Sequence, residues 1–382
     1  MNDEQLLRER LGEVDVPPLG LGMDQVLASG FRRVRRRRIA AVAGTAALTL
    51  AVLAATPALL PTDREPDGKA QVGPALATKA PSTEVAASCT PALKLPVPKG
   101  AGPIDLAAVD PTGRHIVGNG SKGQDFVPFA WNDGKVDRIQ QFAASVEMFD
   151  VNSSGTALGR ADDSNGGLET FFRYRNGKVT PLSMPAGRWQ TNGWPQVNTA
   201  GDIIATAQPA DSSGGKGAVV LLWAAGKTRP EKLPLPKDAA AHDLADNGTI
   251  AGILRDRPND TSVAYVWDRT GRGRALETPP GVSSGAYAIS SNGAWATGGL
   301  WPEDQDPSAA LWNVATGKLV ARFGQSPGHR INSDGTVITM DGVLVRDGKP
   351  VTLVSGSSSQ PAVTAVADTG LVTGTTSHNY QC

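Results

Sequence analysis

Seven times along its 382 residues this chain repeats one short pattern: an apolar-alternating run, a polar turn closing on glycine, and a second apolar run ending on a small residue. The copy HDLADNGTIAGI runs from His242 to Ile253 and turns on Gly248. The others turn on Gly113, Gly155, Gly201, Gly293, Gly335 and Gly370, so that successive glycines lie 42, 46, 47, 45, 42 and 35 residues apart. A recurrence in that range belongs to repeat architectures, in which each unit buries its faces against its neighbours. A second landmark follows about 18 to 22 residues after the turn in five units, where an apolar run ends at Trp131, Tyr174, Trp223, Trp267 or Trp312. Val345 takes that place, closer to its glycine, in the sixth unit. Turns such as NDG, RNG and RDG after these runs are hairpin signals, and a fourth run follows, as in KVDRI and KVTPL. Four antiparallel strands per unit match a propeller blade, and seven units predict an all-β, seven-bladed β-propeller over 89–382. No unit has room for two helices, which excludes an α-solenoid.

The composition agrees. Aromatic residues are only 5%, while 44 glycines and 28 prolines suit short strands joined by tight turns. Lys and Arg (37) balance Asp and Glu (37), so nothing in the charge points to nucleic acid as a partner.

Residues 39–60 contain no charged side chain. As a helix they would span roughly 33 Å, enough for a hydrocarbon core of about 30 Å. Arg32, Arg33 and Arg35 to Arg38 precede this stretch, and no basic residue follows before Arg64. By the positive-inside rule residues 1–38 are a cytoplasmic tail, 39–60 a transmembrane helix, and the remainder extracellular, giving a single-pass cell-membrane protein. A cleaved secretory or twin-arginine signal is the alternative. The tail has two short helical patterns separated by Pro17 and Pro18, read either as a topogenic segment or as a docking site for a cytoplasmic regulator. It contains neither His nor Cys, the ligands of zinc-binding membrane-tethered anti-sigma factors. Residues 61–88, with Pro61, Pro66, Pro74 and Pro81, read as a flexible extracellular stalk.

The motifs INSDG (Ile331 to Gly335), VNSSG (Val151 to Gly155), VNTAG (Val197 to Gly201) and AALW (Ala309 to Trp312) resemble the HAF-type extracellular repeat proteins of bacteria. That family pairs an I-N-x-x-G turn with a later H-A-F-L-W run, whose leading His is absent from every copy here. The resemblance covers about residues 100–382 and implies an extracellular propeller-like fold without implying a reaction.

The seventh unit stops where its hairpin should turn, after Tyr380, and CTPALKLPVP at 89–98 reads like a fourth strand without a blade. Supplying it from the N-terminal end would remove the exposed edges of a broken ring. That arrangement puts Cys89 beside Cys382 and predicts a disulfide between the only two cysteines, as an oxidising compartment favours. The alternative for Cys89 is lipid modification.

No zinc spacing joins His115, His242, His329 and His378, and no G-x-S-x-G elbow, P-loop or dinucleotide fingerprint stands in its required setting. No metal or cofactor is implied. The candidate ligand positions come from the repeat itself. Five residues before each turn glycine lie Ala108, Asp150, Gln196, Asp243, Ala288, Arg330 and Ala365, equivalent positions that should ring the central axis. Asp150, Gln196, Asp243 and Arg330 are its polar members, and the adjacent ring carries His242 and His329. Together they could hold a polar or zwitterionic group, or they could pair with one another and with turn backbone. Trp301, in the acid-flanked stretch 299–308, is a second candidate, suited to carbohydrate or protein if exposed. The functional expectation is a binding or sensing module for an extracellular ligand or protein. An extracellular hydrolase or lyase acting on polymer, and a signalling protein using the tail, are the alternatives.

Overall fold

A computed structural model describes residues 88–382 apart from 93, 99–100, 124, 163–169, 257–260, 355–361 and 376–377. The expected tail, membrane span and stalk lie outside the described residues except for Ser88, which already belongs to a strand. Among the described residues no helix is long and apolar enough to cross a membrane. They form seven sheets and no α-helix, a seven-bladed β-propeller.

The first blade shows the pattern: Ile104–Val109, His115–Lys122, Asp125–Asn132 and Lys135–Arg138 pair antiparallel in chain order. Blades two to six occupy 145–181, 189–232, 239–275, 283–323 and 328–350. In all seven, the turn after the inner strand is closed by the glycine N–H, which donates to the carbonyl three residues earlier, from Gly113 to Asp110 through Gly370 to Ala367. Each of these glycines has φ between +72° and +91°, where a side chain would strain the backbone. The asparagines at the start of the turn do more than form it. Asn152 accepts the N–H groups of Ser154 and Thr156, while its amide donates to the Asn198 carbonyl of the next blade at 2.7 Å. Asn332 repeats the arrangement toward Ala367.

The third-strand aromatics are the core. Trp131, Trp223, Trp267 and Trp312 are fully buried between blades, as is Tyr380 in the seventh. Burying about 200 Å² of apolar surface per indole contributes on the order of 5 kcal/mol. Three of the indoles donate to the segment that leaves the preceding blade: Trp131 to Pro96, Trp223 to Ser183 and Trp312 to Glu277, at 2.7–3.1 Å. Pro96 thus stands to the first blade as Ser183 stands to the third. Upstream of it, Ser88–Pro91 pairs antiparallel with Asn379–Gln381 of the seventh blade and parallel with Thr352–Leu353. Cys89 and Cys382 are disulfide-bonded, with Cα atoms 4.3 Å apart across 293 residues of chain.

Alternation alone does not reveal a β-bulge in the inner strand of six blades. The register with the second strand slips by one at Ala107, Phe149, His242, Tyr287, His329 and Thr364. A bulge leaves backbone groups without ladder partners, and the preceding blade supplies some of them. Asn119 both donates to the Met148 carbonyl and accepts its N–H, at 2.8 and 2.7 Å, and Thr206 does the same for Ala241. The third blade departs further. Its inner strand breaks into Trp189–Thr191 and Gln196–Val197, with Asn192-Gly193-Trp194-Pro195 looped out between them.

Candidate functional site: the central channel

The residue after the bulge is the predicted ring position in six blades, with Gln196 at the equivalent place in the third, and Asp150, Gln196, Asp243 and Arg330 do line one cavity of about 100 Å³ together with Ala108 and Ala365. Ala288, the seventh member, does not reach it; its neighbour Ile289 does.

These polar groups are largely engaged with the protein itself. One carboxylate oxygen of Asp150 accepts the Val151 N–H at 2.9 Å and the other accepts Val197 N–H of the next blade at 2.8 Å. Asp243 makes the same pair of bonds to Leu244 and to Ile289 of the next blade. Each carboxylate is therefore a tie between neighbouring inner strands. Arg330 reaches across the channel from the sixth blade, donating to the Gln196 side chain at 3.1 Å and to the Phe149 carbonyl at 3.5 Å. Asp150 and Asp243 are thus each bonded to backbone of their own and the following blade, and Arg330 to Gln196 and Phe149, three separate sets of contacts around one channel. Burial pushes the Asp150 carboxyl up to about 7, with Asp243 adding to the rise while Arg330 and the Val197 N–H oppose it. Asp243 is raised by burial as well.

At the glycine-turn end further bonds are made. Asp368 accepts the Ser333 N–H and hydroxyl at 2.7 and 2.8 Å and the Ser291 hydroxyl at 3.0 Å, and Asp246 accepts the Thr199 N–H at 2.7 Å.

Four of the six bulge residues carry rings, Phe149, His242, Tyr287 and His329, and Phe149 is buried in the core that packs blade two against blade three. His242 meets Tyr287 edge-on at 5.0 Å between ring centroids, and Tyr287 meets Trp301 at 5.8 Å. Burial lowers His242 to about 4, leaving a neutral imidazole whose Nε2 is buried without a hydrogen-bond partner. His329 is lowered to about 3, by burial and then by Arg330. Trp301 departs from expectation: it ends the strand Trp295–Trp301, half-buried, instead of standing exposed in a loop. Its ring folds back over Gly299, where a Cβ would lie 2.4 Å from the indole. On the opposite side Phe149 packs edge-on against Trp194 at 5.5 Å, and the Arg160 guanidinium lies 5.8 Å from the Trp194 ring centroid. Phe149, Trp194 and Tyr287 escaped sequence reasoning. Six residues before each turn glycine is the position that would have found Phe149 and Tyr287, and the unique N-G-W-P insertion marks Trp194.

No family model matches this chain, and neither does any curated protein. Its likeness is to solved propeller structures. An oligogalacturonate lyase in complex with manganese superposes with a TM-score of 0.53 at 11% identity, covering 75% of this chain and 91% of that one. The β-propeller domain of the trilobed protease from Pyrococcus furiosus gives 0.49 at 10% identity, over 71% and 90%. TolB from Acinetobacter baumannii gives 0.33 at 17%, and there the match spans 46% of this chain and only 43% of the other. At these identities the likeness is one of fold alone.

Proposed function

We propose that this is a membrane-anchored extracellular propeller acting as a binding or sensing module, with its ligand met at the bulge-side mouth of the channel. The observation that carries the binding reading is the crossed channel: Arg330, bonded to Gln196 and Phe149, spans the axis. A ligand would be held at the mouth rather than passed through. Anchoring rests on the uncharged stretch 39–60 behind its arginine run, and an extracellular address is consistent with the disulfide. The pairing of Ser88–Pro91 with Asn379–Gln381 supports a ring closed by its N-terminal strand. The HAF-type resemblance belongs to the same reading. Two experiments test it. Protease added to intact cells should remove the propeller and leave residues 1–38 protected; a propeller cleaved only after lysis refutes the topology. Affinity capture from membranes with full-length protein and with a deletion of 1–38 separates an extracellular ligand from a cytoplasmic regulator.

One observation favours an enzyme. Asp150 titrates near neutrality inside a channel, as a general base for a lyase or hydrolase would. Each of its oxygens accepts one backbone N–H, which holds the group in place.

A further inference from the structure

We propose that the bulge-side mouth is a carbohydrate site, which grips a chain of pyranose rings between two aromatic walls. The proposal rests on the binding-module reading of this mouth and names its ligand class.

The first wall is Trp194. Its residue exposure is 42%, yet the loop beneath it is tightly held. Asn192 donates from its backbone to the Thr206 carbonyl and from its side chain to Gln208 at 2.6 Å. The Gln196 amide donates to the carbonyls of both Trp194 and Pro195. Phe149 braces the indole at its side, and Arg160, itself paired with the buried Glu147, lies over the ring. A loop found in one blade of seven fixes a large aromatic side chain at the rim and leaves it wet. Rigid, partly exposed tryptophan is the side chain most often found as a binding anchor.

The second wall is the Trp301–Tyr287–His242 stack, on blades four and five. Phe149, His242 and Tyr287 occupy the same bulge position of their strands and Trp194 stands one residue from it, so topology puts both walls at one end of the channel. Ala107 and Thr364 fill that position in the first and seventh blades, small residues that add no ring to either wall.

The chemistry selects a neutral ligand with one apolar face. Arg330, Asp150 and Asp243 are already bonded, and a guanidinium already sits over Trp194, which disfavours a second cation there. The second wall adds no charge of its own, because His242 is neutral and its unpartnered Nε2 is enclosed. A pyranose offers this combination, a C–H face for an aromatic platform and hydroxyls at its edge.

Calorimetric titration of the full-length protein in detergent with the neutral cellohexaose, chitohexaose and mannohexaose, and with choline as a cation control, tests the proposal. At least one hexasaccharide should bind saturably. Trp194→Ala and Trp301→Ala should each weaken it by about tenfold or more, as loss of an aromatic anchor does, while Trp194→Phe keeps most of the affinity. Should an alanine variant fail to fold, protection of Trp194 from acrylamide quenching by the sugar, read as wild type minus Trp194→Phe, decides instead. Saturable binding indifferent to both walls overturns the site. Choline binding without sugar binding, or no hexasaccharide binding at all, overturns the ligand class. The module reading then stands or falls separately, on whether Trp194→Ala abolishes capture of the partner recovered from membranes.

Discussion

Replacing Asp150 by Asn should change the stability of the propeller by an amount that depends on pH, and the structure supplies both parts of the change. The amide keeps one acceptor for the N–H groups of Val151 and Val197, but turns its NH₂ toward the other. Losing one buried hydrogen bond costs about 1–3 kcal/mol, a penalty that does not vary with pH. The second part does vary. In the wild type the folded carboxyl is raised from 3.8 to about 7, so its contribution to stability is fully present below about pH 4 and is lost as pH rises through 7. A shift of roughly three units at about 1.4 kcal/mol each amounts to about 4 kcal/mol, an upper figure because the side chain keeps some exposure to the channel. Asn carries no such term. The variant should therefore be clearly the weaker protein at pH 4 and should draw level with, or overtake, the wild type by pH 8. His242 and His329, lowered to about 4 and 3, act in the opposite sense. Their stabilisation is present above pH 6.5 and lost as pH falls, but it is common to both proteins and cancels in the difference. Urea denaturation of both proteins at half-unit intervals from pH 4 to pH 8 measures this. A stability difference that stays constant across that range refutes the reasoning, because Asp150 would then titrate in the fold as it does in the unfolded chain.

Three further outcomes are expected. Cys382→Ser should lower the unfolding free energy by about 2–5 kcal/mol, below the roughly 5–6 kcal/mol of the loop-entropy model for a 293-residue separation; a non-reducing peptide map with both thiols free would reject the bond. Asn119→Ala strips the Met148 N–H and carbonyl of their partner and should cost about 2–4 kcal/mol in denaturant unfolding, whereas an exposed change such as Val320→Ala should stay within about 0.5 kcal/mol. Gly298→Ala would set a Cβ 1.8 Å from the Gly285 carbonyl oxygen, so it should abolish accumulation of folded protein, and a variant with an unchanged melting temperature would show that these two strands are not so close.

Much of the fold is legible in the sequence because its causes are local and repeated. A glycine at φ near +80° is required wherever the inner strand turns back, and it is required seven times. The third-strand tryptophans recur because each fills the same space between blades. The pairing of Cys89 with Cys382 could be read from an incomplete last unit and a strand without a blade. The candidate site was legible only in part. Counting back from the turn placed Asp150, Gln196, Asp243 and Arg330 around one axis, but their partners could not be counted, since Arg330 finds Phe149 at a distance of 181 residues in sequence. Trp301 misled in the other direction: acids beside a tryptophan suggest an exposed loop, and only the glycine two residues earlier, over which the ring folds, signals otherwise.

The number of blades, the turn that begins each hairpin and the residues that fill the core can be read along the chain, because they are settled within a unit of some 45 residues and its immediate neighbours. The character of the channel cannot, because it depends on contacts between distant blades. Closing seven units into a ring brings side chains from distant blades within hydrogen-bonding distance, and the bulges choose which ones point inward. That convergence joined Arg330 to Gln196, tied Asp150 and Asp243 to the blades that follow them, and set Arg160 of the second blade over Trp194 of the third.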